Sequence, residues 1–159
     1  MNTYLWVKTL HIVSSVLLVG TGFGTAFYLF FVNRSGSVET QAVVSRLVVR
    51  ADWWFTTPAV VIQPLSGLWM AQQAGWPLST PWLATAIALY LLAGICWLPV
   101  VALQIRMAKT ADLCWQQGRT TLPASYWREA RWWERLGYPA FAAMSVVYYL
   151  MVFKPPLWA

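Results

Sequence analysis

The sequence predicts an all-α fold, a polytopic membrane protein built as a bundle of four transmembrane helices, and three observations predict it. Apolar stretches at about residues 4–32, 53–73, 82–105 and 134–153 dominate the chain, and each approaches or exceeds the ~20 helical residues that cross a hydrocarbon core. Of the 159 residues, 59% are hydrophobic and 10% charged, whereas a soluble domain carries roughly 25% charged residues. No segment shows the short apolar–polar alternation of a transmembrane strand, which leaves helices as the way to satisfy backbone amides in lipid. No repeat, low-complexity stretch or second apolar core interrupts the pattern, so residues 1–159 read as one domain.

The first stretch is too long for the apolar region of a signal peptide, holds Lys8 and His11, and lacks a small-residue cleavage site. On a helical wheel of about 100° per residue, Lys8, Ser14, Ser15, Gly22 and Thr25 fall within roughly 60° of His11. Gly20 and Gly24, a G-x-x-x-G pair, point the other way, which predicts a second contact face toward the fourth helix or a neighbouring copy. The second stretch opens at Pro58 and gathers Asp52, Thr56, Gln63, Ser66, Gly67 and Met70 on one face; Pro64 beside Gln63 predicts a bent, polar centre there. The third stretch has little polar beyond Thr85 and Cys96, and Pro99 lies inside it. In the fourth, Pro139 falls in the expected first turn, where proline is tolerated, and Glu134, Tyr138, Phe141, Ser145, Tyr148 and Tyr149 share a face.

Arginine and lysine set the expected orientation, because they accumulate on the cytoplasmic side. Arg34, Arg46 and Arg50 lie between the first two stretches, and Arg106, Lys109, Arg119, Arg128, Arg131 and Arg135 between the last two. The connection AGWPLSTP at residues 74–81 has no charge. Both termini and this connection are therefore expected outside. Topology and anionic lipid account for the net charge of +6, with no nucleic-acid partner required. Trp6, Trp53, Trp54, Trp76, Trp82, Trp127, Trp132, Trp133 and Trp158 fall near expected span ends, as interfacial anchors do; Trp69 and Trp97 lie deeper, to pack inside or line a ligand. Cys96 in a span and Cys114 in a loop make neither a disulfide framework nor a thiolate metal site. Walker, Rossmann, H-E-x-x-H and nucleophile-elbow motifs are absent from the sequence.

His11, the sole histidine, is the residue expected to report function, because an ionisable side chain inside a span requires a partner or a task. Lys8 is close enough to the outer surface to snorkel. His11 lies about 10 Å inside the outer end of its helix, and Met70 and Tyr148 reach the same outer half from other helices. An imidazole facing a thioether is a haem-type axial pair, and methionines also suit Cu(I). Hydrogen bonding of His11 to serine or glutamine in a packing stripe is the equally open alternative. In the haem reading, Ser14, Ser15 or Gln63 would hold the second ring nitrogen.

The segments YLWVKTLHIVSSVLLVGTGFGTAFYLFFVNRS, RADWWFTTPAVVIQPLSGLWMA, WLPVVALQIRM and ERLGYPAFAAMSVVYYLMVFKP closely resemble a family of bacterial four-span proteins described as predicted integral membrane proteins. That resemblance implies a bacterial cytoplasmic (inner) membrane. A more distant one rests on the W-x-K-x-x-H pattern of Trp6, Lys8 and His11, on Arg46, Pro58 and Gly67, and on Glu134, Pro139, Lys154 and Pro155. These residues are similar to HemJ-type protoporphyrinogen oxidase, and the layout to copper-resistance-D-like membrane domains. The former resemblance implies haem b on His11 and a redox or porphyrin-handling oxidoreductase, with Lys8, Gln63, Met70 and Tyr148 around the site and a membrane redox partner or second copy beside it. That family's third-span lysine falls near Thr85 or Ala86 here, and its histidine after the first span has no counterpart. The other class of function is a non-catalytic membrane subunit or binding module, with copper handling as a further option.

Overall fold

A computed structural model describes residues 2–157; Trp158, expected as an anchor, lies outside the described residues. Among the described residues there are five α-helices and one π-helical turn: α1 Thr3–Val32, α2 Val38–Ala51, π1 Asp52–Thr56, α3 Thr57–Gln73, α4 Pro81–Gln116 and α5 Ala124–Phe153. No strand occurs among the described residues. Three of the helices, α1, α4 and α5, are long and apolar enough to cross a membrane. The protein is an integral membrane protein with an all-helical fold. The expected second stretch is carried by π1 and α3; α3 has 17 residues and continues without a break from α2, since Ala51, Asp52 and Thr57 all keep right-handed helical torsions.

The π turn has a local cause. Pro58 cannot donate to the carbonyl of Trp54, and its ring crowds that carbonyl. The preceding turn widens, and the Thr57 amide donates to the Asp52 carbonyl five residues back. Trp53 and Trp54 project outward at 70% exposure each, while Asp52 and Thr56 are buried.

Two expectations about the elements need correction. Basic residues from Arg106 onward were expected to mark a loop, yet α4 runs on to Gln116 and α5 begins at Ala124, ten residues before the expected span. Leu103, Met107, Ala111 and Cys114 recur at helical spacing and are buried against Tyr126, Ala130 and Trp133 of α5 and Ala42 and Val48 of α2. Cys114 thus sits in a helix, and Pro139 lies in the interior of α5. Exposed arginines outside this core pair with acids: Arg34 with Glu134 at 3.1 Å, Arg46 with Asp112 at 3.4 Å and Arg106 with Glu129 at 3.5 Å. The tryptophans also divide. Trp6, Trp53, Trp54 and Trp132 are exposed as anchors would be, whereas Trp82 and Trp133 are buried core residues.

The helices pack as two pairs, α1 on α3 and α4 on α5, with α2 touching both and α1 meeting α5 only lightly. Where Pro64 lacks an N–H, the carbonyl of Val60 is free of its helical bond, and the Tyr90 hydroxyl of α4 donates to it at 2.7 Å. On the light side, the Tyr148 hydroxyl donates to the Ser15 carbonyl at 3.0 Å. A Cβ at Gly20 or Gly24 would meet no atom of this chain within 4 Å. Their face is therefore not used against the fourth helix; a neighbouring copy or lipid is what it can meet.

Candidate functional site

His11 is half-buried between α1 and α3, and both of its ring nitrogens are engaged. The Gln63 side-chain amide donates to Nε2 across 3.1 Å. Nδ1 then carries the proton and donates to the Ser66 hydroxyl, 2.8 Å away. Ser66 passes its own hydrogen to the Ile62 carbonyl at 2.6 Å. On the other side Ser14, expected on the ring, instead donates to Gln63 Oε1 at 2.5 Å, and its hydroxyl lies 2.9 Å from the carbonyl of His11. Ser15 turns to the Ile12 carbonyl of its own helix. Gly67 makes this approach possible, because a Cβ there would stand 3.0 Å from His11 Cε1. The result is an interhelical fastening of four side chains and one glycine.

The other residues expected around a haem do not join it. Lys8 is exposed and makes no ion pair or hydrogen bond among the described residues. Met70 is half-buried one turn beyond Gly67, and Tyr148 spends its hydroxyl on Ser15. A haem or copper ligand needs a free imidazole lone pair, and here Gln63 holds the one on Nε2. As arranged, the residues do not fit an axial haem site. No three His, Cys, Asp or Glu side chains come together among the described residues.

A second site lies between the two helix pairs. A cavity of about 400 Å³ is bounded by Gly22, Phe23 and Ala26 of α1, by Tyr90, Gly94 and Trp97 of α4, and by Gly137 and Phe141 of α5. Small residues create the room: a Cβ at Gly94 would touch nothing within 4 Å, and one at Gly22 would stand 3.6 Å from Phe141. The walls are almost wholly apolar, and the polar groups gather at the end next to α2. There Asp52 and Thr56 of π1, Gln104 of α4 and Glu134 of α5 line the space. Thr56 donates to Asp52 Oδ1 at 2.9 Å, and Arg34 neutralises Glu134. Gln104 stands beside Asp52, and its Oε1 is buried with no hydrogen-bond partner.

The family description of a predicted integral membrane protein (DUF2269) matches residues 5–155, a stretch that takes in both sites and all of the described helices but the first two residues of α1. The chain belongs to that family. No curated protein and no solved structure matches the chain.

The cavity was only partly foreshadowed by the sequence. Trp97 was expected to pack inside or line a ligand, and Glu134, Tyr138 and Phe141 were expected on one face of α5; all four line the space. Gln104 was missed, since a glutamine next to Arg106 reads as the polar rim of a span. Its one available signal was position: it follows Val100 and Leu103 on the buried face of α4.

Proposed function

We propose that this protein is a non-catalytic binding module of the bacterial inner membrane that admits a membrane-soluble apolar chain into the cavity between its helix pairs. The observation that carries the reading is the cavity itself: about 400 Å³, in the size range of small-molecule sites, apolar along its length and polar at one end. His11 serves assembly in this reading, holding α1 to α3 so that the second pair can stand away from the first. In the bilayer the chain spans four times: α3 with part of π1 makes the fourth crossing, the termini face outward, and α2 with the extended ends of α4 and α5 lies in the cytoplasm.

Two measurements test this. Quenching of tryptophan fluorescence by 12-bromododecanol in phosphatidylcholine nanodiscs is expected to contain a saturable component from Trp97 and Trp133, which line the cavity. Gly94→Leu fills open space and is expected to remove that component while leaving quenching of the lipid-facing indoles intact. Equal quenching of both proteins would overturn the reading. For the orientation, single cysteines at Ser35 and Gln117, both exposed, are expected to react with an impermeant maleimide only from the cytoplasmic side, and one at Ser79 only from outside. The reverse pattern would overturn it.

A further inference from the structure

The polar end of the cavity has an unusual charge balance. The chain carries eleven Lys and Arg against five Asp and Glu, yet the cavity is lined by two carboxylates and no basic residue. Glu134 has Arg34. Asp52 has no cation: the ion pairs among the described residues take up Glu134, Asp112 and Glu129, and the side chain of Asp52 is left with the Thr56 hydroxyl and the neighbouring Gln104. A carboxylate at 5% exposure without a countercharge is costly, and one that lines a cavity is a candidate ligand site. The second observation is independent of the first. Gln104, also at 5% exposure, lines the same end of the same space, and its carbonyl oxygen is buried without a hydrogen-bond partner. Asp52 and Gln104 thus bring negative charge and one unpartnered acceptor to the same end. The π turn that carries Asp52 and Thr56 is a feature frequent at functional sites.

We infer that the cavity recognises a cationic amphiphile, a protonated primary amine on an apolar tail, with the ammonium held by the Asp52 carboxylate and Gln104 Oε1 and the tail along Trp97 and Phe141. The inference rests on the binding reading above and names the ligand class for the same cavity. An ammonium brings one positive charge and three donors, which meet the charge of Asp52 and the free acceptor of Gln104. An alcohol brings one donor and no charge, and a fatty acid brings a second negative charge.

The test compares 12-bromododecylamine, 12-bromododecanol and 12-bromododecanoate in phosphatidylcholine nanodiscs, with concentrations expressed per lipid to remove partitioning. The saturable, Gly94→Leu-sensitive quenching is expected to favour the amine over the alcohol by about tenfold, with the carboxylate weakest. Asp52→Asn keeps an oxygen for Thr56 and is expected to abolish the preference for amine over alcohol. Gln104→Met is expected to reduce the preference without erasing it. Equal binding of all three probes, or an amine preference that survives Asp52→Asn, overturns the cationic ligand and leaves the apolar-chain reading standing. Absence of any saturable component overturns both.

Discussion

Tyr126→Ala is expected to lower the unfolding free energy by about 3–5 kcal/mol, the range for truncating a large buried aromatic. The ring is fully buried, packs in the core shared by α2, α4 and α5, and donates its hydroxyl at 2.6 Å to Asn33 Oδ1 just past the end of α1. Two losses therefore coincide, a cavity in the core and an orphaned acceptor on a residue at 5% exposure. Tyr126→Phe separates them and should cost only about 1–3 kcal/mol, the penalty for leaving one buried polar group unpaired. Thermal unfolding in mild detergent reads both values. Equal effects of the two variants would mean that the ring contributes little packing.

His11→Ala is expected to cost about 2–3 kcal/mol, because removal of the ring leaves Gln63 and Ser66 facing an apolar gap. Single hydrogen bonds between transmembrane helices average well below that value, so the separate contribution of the His11–Gln63 bond is best read from a double-mutant cycle with Gln63→Ala. A coupling near 1 kcal/mol is expected. Additive losses would show that the bond carries no stability. The same preparations discriminate the haem reading: wild-type protein from haem-supplemented cells is expected without a Soret band, and a band that disappears in His11→Ala would restore His11 as an axial ligand.

The residues of the His11 fastening were legible in the sequence because α3 is regular over Thr57–Gln73. Gln63, Ser66 and Gly67 fall on one face at helical spacing and meet His11 as that spacing predicts. The same wheel placed Asp52 and Thr56 on that face too. The wider turn at π1 breaks the count, and these two residues look into the cavity beside Gln104. Hydropathy found α1 to within a residue and the apolar cores of α4 and α5 but not their lengths, since α4 and α5 leave the apolar region and remain helical by burying a stripe against α2. The Tyr126–Asn33 bond joins residues 93 positions apart, and no local pattern carries such a pair. Gly20 and Gly24 show the opposite case: the spacing predicted a close helix contact, and the chain places nothing of its own there.

The π turn also fixes a phase. A regular helix gaining one residue turns everything beyond it by about 100°, and π1 absorbs one such residue within its wider turn. The α2 face that packs against α4 and the α3 face that holds His11 are therefore kept in step by a single surplus residue. Deleting one residue within Asp52–Thr56 would restore an ordinary helical count, and the two halves could then no longer both seat: either α2 rotates off Met107 and Ala111, or Gln63 and Ser66 rotate off the imidazole. The segment works as a rotational register between α2 and α3, and the carboxylate of Asp52 sits at its pivot.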